Sequence, residues 1–376
     1  MTDKAEYAFF CTTPLHVLGA IAISRKTASK TDVYVTNQFL DSYRIVQFLK
    51  KEHVFHDVIY IDAIKQKIEV RIENGAKKIL SEIHALSQYI WNCLRIKKTV
   101  RRYLNMDSDY KRIYIASNSM AGRYAILYYF KTKKRFQIWQ YDDGLGSYIN
   151  RIAEAIPLYD RVIRTLLFGR KSVNYNRHRI LFSPEYYHMM YGDDEEVKRI
   201  PTFENEQKEL IFRMYGVDQL PSMEPKVFFI DTVNEGYTKD GWNSYTMVRK
   251  RIVDLVGDSK VMIKKHPRDM EMSELDRVIT SIPFEVLCMR WDMSDKTLIS
   301  CRSSAMYTPR IMFDQEPDVV FLCRLLSDGL LEINTYDDIY QFRKMYRNKK
   351  RVMLPKTEEE LFSYIEECLG TGNSKE

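Results

Sequence analysis

The chain of 376 residues exceeds the usual size of one domain, which predicts two. Its 45% hydrophobic and 29% charged content fits a globular protein with packed cores, and no apolar run approaches the ~20 residues that a membrane-crossing helix needs. The net charge of +7 is clumped in RIKKTVRR (Arg95 to Arg102), KTKKR (Lys131 to Arg135) and RNKKR (Arg347 to Arg351), which leaves nucleic acid, an anionic membrane face, anionic small substrates or plain solvated helix ends as readings.

Short apolar runs alternate with helical ones. Tyr7 to Cys11 reads as a strand and Leu15 to Arg25 as a helix. Asp32 to Thr36 and Val58 to Ile61 read as further strands. Ile68 to Leu104 is charged and helical, but too long for one globular helix, so a break is expected near Asn74-Gly75. Arg112 to Ala116 is a strand, Met120 to Phe130 a helix and Phe136 to Tyr141 a strand. This β-α-β order predicts a parallel sheet covered by helices. Ser183 to Pro225 carries four prolines and reads as irregular, which puts a domain boundary near its end, dividing the chain into 1–224 and 225–376. The alternation then restarts. Lys226 to Asp231, VMIKK, FEVL, Thr297 to Ser300 and DVVFL read as strands, and Tyr245 to Val256, Ser304 to Met312, Tyr336 to Tyr346 and Glu358 to Cys368 as helices. The expected fold class is α/β, with two doubly wound halves facing one cleft, since such sheets bind ligands beyond their strand carboxyl ends.

The six cysteines are scattered without a CxxC pair, which suits reduced thiols rather than a disulfide frame or zinc site. The first residues, MTDKAEYAFFCTTPLH, lack the order of a signal peptide, so a cytoplasmic location is expected. Tyrosine is abundant, at 26 copies, yet no RNA-binding signature, zinc-finger spacing or helix-turn-helix accompanies it, and no nucleic-acid partner is expected.

Three segments carry candidate chemistry. Asp142-Asp143-Gly144 follows the strand FQIWQY, where such a sheet presents ligands. Turn chemistry alone also explains Asp and Gly there. Two packed carboxylates resist double ionisation, so one pKa should rise and suit a general base. Adjacent acids without a nearby third carboxylate make a poor metal site, and no metal is expected. Lys264-Lys265-His266-Pro267-Arg268 follows VMI, setting an imidazole among cations that suit a phosphate-sized anion. His266 there is able to protonate a departing phosphate near neutral pH. Arg302-Ser303-Ser304 follows TLISC and opens a helix, whose backbone N–H groups suit an anion; plain capping by either serine explains it equally. Glu285 lies between the last two segments, as a ribose acceptor or a solvated strand residue.

The order of these segments resembles the bacterial sialyltransferases, most closely those of glycosyltransferase family 52, which includes lipooligosaccharide and capsule enzymes. FFCTTPLHVL resembles the family's first strand and loop, and KRIYIASNS followed by QYDDGLGSY its acid-acid-glycine segment. KKHPR resembles its His-Pro motif and CRSSAMYTP its phosphate loop. The resemblance implies a GT-B type fold of two Rossmann-like domains, CMP-sialic acid as donor, inversion at the sugar, and no metal or other cofactor. His266 would protonate the CMP phosphate, Ser303 and Ser304 would bind it, and Glu285 with the His-Pro segment, which includes the substrate-binding candidates Lys265, Pro267 and Arg268, would hold the cytidine. Thr12, Thr13 and Asn118 would lie near a glycan or glycolipid acceptor, with Asp142 and Gly144 on the same wall. For the base, the family's register after the strand KVFFID falls on Val233 or Asn234, flanked by Asp231, Glu235 and Asp240. Other sialyltransferase families use the acid-acid-glycine motif, so Asp143 and Glu235 both stand as candidates. Relatives form dimers, and Lys97, Lys98, Arg101, Arg102 and Lys133 are the cations expected to meet an anionic inner leaflet. A different sugar nucleotide, or a non-catalytic CMP-binding role in a capsule assembly complex, are the alternatives.

Overall fold

The computed structural model describes residues 4–62, 76–106, 109–116, 119–132, 135–149, 158–175, 177–193, 195–220, 225–231, 238–265, 278–279, 282–326 and 336–370. Contacts group the chain into two compact units, Met1–Pro184 with Gly192–Gln207, and Glu185–Tyr191 with Lys208–Glu376.

In chain order the elements begin with β1 (Tyr7–Cys11), α1 (Pro14–Ser24), β2 (Thr31–Thr36), α2 (Ser42–Lys51), β3 (Asp57–Ile61), α3 (Ala76–Leu94), α4 (Ile96–Leu104), β4 (Arg112–Ile115), α5 (Met120–Thr132) and β5 (Gln137–Tyr141). They continue with α6 (Gly146–Ile149), α7 (Leu158–Phe168), β6 (Arg177–Leu181), α8 (Pro184–Tyr191), β7 (Val197–Arg199) and α9 (Asn205–Tyr215). The later part holds β8 (Val227–Ile230), α10 (Lys239–Val256), β9 (Val261–Lys264), β10 (Val278–Ile279), α11 (Phe284–Arg290), β11 (Thr297–Ser300), α12 (Thr308–Phe313), β12 (Asp318–Phe321), α13 (Asp337–Lys344), β13 (Val352–Met353) and α14 (Glu358–Cys368).

The first sheet has the order β3-β2-β1-β4-β5-β6-β7 and the second β10-β9-β8-β11-β12-β13, with every pairing parallel. Each order runs outward from its first strand to its third, then returns to the fourth on the other side. This is the Rossmann arrangement, and its switch points fall between β1 and β4 and between β8 and β11. As the alternation predicts, both units are doubly wound. A parallel sheet is covered on both faces, so its central strands read as continuous apolar runs. The strands β2 (TDVYVT), β8 (VFFI) and β11 (TLIS) are buried along their whole length. Across β1 and β4, Phe9 pairs with Tyr114, and their rings stack at 4.2 Å.

Local chemistry sets the boundaries. Thr13 caps α1 through the His16 N–H, with Pro14 at the first helical position, where its missing N–H costs nothing. Thr357 caps α14 ahead of three glutamates that complement the helix dipole. The long helical stretch is interrupted at Arg95 (φ −103°, ψ 30°), between α3 and α4; the break expected at Asn74-Gly75 lies outside the described residues.

Two expectations change. FEVL is the start of helix α11, not a strand, and Pro283 stands at its N-cap. The apolar-polar-apolar step Phe284-Glu285-Val286 copies the two-residue period of a strand, and four residues are too few to show the helical one. The proline-rich span 183–225 holds α8, β7 and α9, because Pro184 opens a helix instead of breaking one. All six cysteines are free thiols, five of them buried. Among the described residues no helix is long and apolar enough to cross a membrane.

Candidate functional site

In the first unit, the nominated residues that are described stand at the carboxyl ends of β1 and β5, which flank β4 in the sheet. Thr12 and Thr13 follow β1, Asp142 to Gly144 follow β5, and Asn118, beyond β4, lies outside the described residues.

Successive side chains leaving a strand point opposite ways, and here that separates two carboxylates. Asp142 turns inward and is only 1% exposed. It accepts from the Gly144 N–H at 2.8 Å, the Phe182 N–H at 3.0 Å and the Tyr148 phenol. Tyr148 in turn accepts from the Ser183 N–H at 3.1 Å, so the pair ties the end of β5 to the end of β6. Asp142 was expected to touch substrate; enclosed by three donors, it is instead a structural anchor. Its carboxyl is pushed up to about 6, as a crowded acid pair predicts, but the main cause is burial, opposed by the three donors, and Asp143 is the smallest contributor.

Asp143 turns outward, with 33% of its side chain exposed. Its amide donates to Ser147 Oγ at 2.8 Å, which sets the turn. Its Oδ1 lies 2.5 Å from Nε2 of His16, whose ring is wholly buried in the first turn of α1. The Thr12 amide donates to Nδ1 of the same ring at 3.0 Å. An amide N–H only donates, so Nδ1 is the unprotonated nitrogen and the ring proton sits on Nε2, aimed at Asp143. Among the described residues Oδ2 of Asp143 has no hydrogen-bond partner.

Two close approaches hold this pair in place. A Cβ on Gly19 of α1 would stand 3.1 Å from the Tyr141 ring, so α1 lies tight against β5. The Tyr141 hydroxyl donates to the Phe10 carbonyl at 3.0 Å, fastening β5 to β1. Gly144 has φ +77°, the left-handed region that lets the chain turn away directly after Asp143. Sequence reading passed over His16, though it stands inside FFCTTPLHVL. The available signal was one titratable residue in the otherwise apolar run LHVLGAIAI; His16 to Ile23 are all buried, and a buried imidazole requires a polar partner.

In the second unit, the same edge collects Asp231 after β8, Lys264 and Lys265 at the end of β9, and Ser300 to Ser304 after β11. Asp231 is buried and accepts from the Tyr245 phenol at 2.6 Å and from Arg249 Nη1 at 3.0 Å. Lys264 is 4% exposed and donates to the Lys265 carbonyl at 2.8 Å. Burial brings its ammonium down to about 8, while the carboxylates of Glu285 and Asp231 pull it back up. Lys265 is also buried, and Glu285 stands half-buried in the first turn of α11.

The loop after β11 is tied across the switch point. The Ser300 hydroxyl donates to the Ile230 carbonyl at 2.6 Å and accepts from the Ser303 N–H at 3.1 Å. Ser303 accepts from the Ala305 N–H at 3.3 Å and so caps the short turn Ser304–Tyr307, the plain role weighed for it; Ser304 is exposed. Arg302 donates to Asp338 at 2.9 Å. Glu235, His266, Pro267 and Arg268 lie outside the described residues. Among the described residues no cluster of three or more metal-ligating side chains is assembled.

No family model matches this chain, and no curated protein matches it. Among solved structures, it is similar to the Methanocaldococcus jannaschii UDP-GlcNAc 2-epimerase in complex with UDP-GlcNAc and UDP, at 11% identity over 98% of this chain and 93% of that one, with a TM-score of 0.48. The Neisseria meningitidis UDP-GlcNAc 2-epimerase bound to UDP-GlcNAc is similar at 10% identity, over 98% and 94%, with a TM-score of 0.46. The spinosyn rhamnosyltransferase SpnG complexed with thymidine diphosphate gives 9% identity, over 97% and 91%, with a TM-score of 0.46. Likeness at this level carries no inference about activity, and the fold assignment rests on the strand order.

Proposed function

We propose that the protein is an inverting, metal-independent sialyltransferase of the cytoplasm, moving sialic acid from CMP-sialic acid to a galactoside-type hydroxyl of a bacterial surface glycan. The observation that carries this reading is the pair of His16 and Asp143 at the carboxyl edge of the first sheet. It offers an outward carboxylate with one oxygen fixed by a buried imidazole and the other without a hydrogen-bond partner among the described residues. A base needs that combination of reach and fixed direction. The motif order shared with the sialyltransferases supports the choice of donor.

In this reading residues 1–224 serve the acceptor and residues 225–376 the nucleotide. The acceptor hydroxyl gives its proton to Asp143 Oδ2 while its oxygen bonds to the anomeric carbon of sialic acid. The bond from that carbon to the phosphate oxygen breaks, and the electron pair leaves with CMP. His266 protonates the departing phosphate, with Lys265, Arg268 and the Ser303-Ser304 loop stabilising its charge, each fixed donor contributing on the order of a hundredfold. Glu285 and Pro267 hold the cytidine. His16 orients the base, and Asp142, with Gly144, fixes the turn that presents it.

Asp143→Asn should lower turnover of CMP-sialic acid by about 100- to 10,000-fold while CMP affinity stays unchanged. Undiminished turnover would remove Asp143 as the base and leave Glu235. Saturation-transfer NMR should detect CMP and not UDP. Binding of UDP alone would point to another sugar nucleotide, and CMP binding without turnover on galactoside acceptors to a non-catalytic role.

A further inference from the structure

Helix α7 packs Ile163, Leu167 and Phe168 against the core, yet it also turns a second apolar stripe outward to water. Its buried positions include Asp160 and Arg164, while Leu158, Tyr159, Val162 and Leu166 are exposed, Leu158 by 76% and Leu166 by 78%. The hydrophobic effect favours the opposite arrangement.

The inward face is anchored by a polar network. Asp160 accepts from the Tyr89 phenol of α3 at 2.6 Å and from Arg164 Nε at 2.9 Å, and Arg123 of α5 approaches to 3.6 Å. A buried ion pair gives back much of its attraction in lost hydration. The network therefore fixes which way α7 faces more than it adds stability, and the apolar stripe is held outward.

Helix α3, joined to α7 through Tyr89, also turns apolar side chains outward. It buries Tyr89 and Cys93 and exposes Ile83, Leu86, Trp91 and Leu94. Directly after it, α4 buries Ile96, Thr99, Val100 and Leu104 and exposes Lys97, Lys98, Arg101 and Arg102. At the junction the Arg95 guanidinium stacks on the exposed Trp91 ring at 3.9 Å, an amphipathic pair suited to a headgroup layer.

We propose that the outer face of α3 and α7, rimmed by the cations of α4, docks on an anionic lipid bilayer. The apolar stripes enter the boundary between headgroups and acyl chains, and the cations pair with lipid phosphates. Charge complementarity selects this occupant. An anionic leaflet supplies charge opposite to this row of cations, which a second copy carrying the same row does not. The clustering of cations in sequence pointed to a membrane through charge alone; the outward apolar stripes supply the part that enters the lipid. Lys133, once grouped with these cations, lies outside the described residues. The inference does not depend on the sugar-transfer reading.

The test is co-sedimentation of the full chain with vesicles of phosphatidylglycerol and phosphatidylcholine, and with phosphatidylcholine alone. The wild type should bind the anionic vesicles, weakly bind the neutral ones, and lose binding as salt rises. Changing Lys97, Lys98, Arg101 and Arg102 together to Gln should lower partitioning on the order of 100-fold or more. Val162→Glu with Leu166→Glu alters only exposed positions and should abolish binding at an unchanged melting temperature. Absence of binding to anionic vesicles would overturn the proposal, as would equal binding by either variant. Concentration-dependent dimerisation in ultracentrifugation, lost in the Glu variant, would also overturn it and assign the face to a second copy.

Discussion

Asp142 offers a test of the site's architecture that needs no substrate. Its carboxyl is raised from the ordinary value of 3.8 to about 6, chiefly by burial. Between pH ~4 and ~6 the folded protein therefore keeps a proton that the unfolded chain has released. The stability attached to this group is fully present below about 4 and is lost as pH rises through about 6. A shift of about 2 units at 1.36 kcal/mol each gives about 3 kcal/mol. Asp142→Asn has nothing to titrate. Its amide turns one donor toward the donors of Tyr148, Phe182 and Gly144, a penalty that does not change with pH. The difference between the proteins should thus move with pH even though each has other titrating groups. Urea unfolding from pH 4 to 7.5, followed by far-UV circular dichroism, measures it. The variant should gain about 3 kcal/mol on the wild type across that range. A difference independent of pH would refute the claim that Asp142 is held in a low-dielectric enclosure, and with it the separation of the two acids into anchor and base.

Lys264 gives the mirror case in the second unit. Its folded value of about 8 lies below the ordinary 10.5, so the folded protein releases the proton first and the wild type should strengthen, relative to Lys264→Met, by about 3 kcal/mol as pH rises from 8 to 10.5; a flat difference in alkaline denaturation would place the ammonium in water. Gly144→Ala forces a side chain into φ +77° and should cost about 1–2 kcal/mol, whereas Gly146→Ala, with open space around it, should be near neutral; equal melting temperatures would show that the turn tolerates a Cβ.

Much of the fold was legible because a parallel doubly wound sheet writes itself into the sequence as apolar runs separated by helical ones. β1, β2, β4, β5, β8 and β11 carry that mark. β6 (RHRIL) and β7 (VKR) do not, because they lie at the margin of the first sheet, where charged side chains reach water or, as Arg179 does with Glu195 and Gln140, find polar partners, and so erase the apolar run. Helix α11 resembles a strand in sequence because Phe284-Glu285-Val286 alternates apolar and polar residues like a half-buried strand, while its apolar face, Phe284, Val286, Leu287 and Cys288, is set by packing.

The candidate site was legible in position and not in depth. Strand order alone brings the ends of β1, β4 and β5 together, so any polar residue just past them is a fair nominee. Whether such a residue faces in or out depends on partners that only the fold supplies. Asp142 is drawn inward by the Phe182 N–H, 40 residues later, and Asp143 meets His16 across 127 residues. Neither separation leaves a local trace. The same reasoning explains why the acids are adjacent. One strand end delivers two side chains to opposite sides of a turn, so a single Asp-Asp step supplies both the clamp that fixes the turn and the carboxylate that the turn presents. Replacing either acid would then fail in a different way, the first through stability and its pH dependence, the second through chemistry alone.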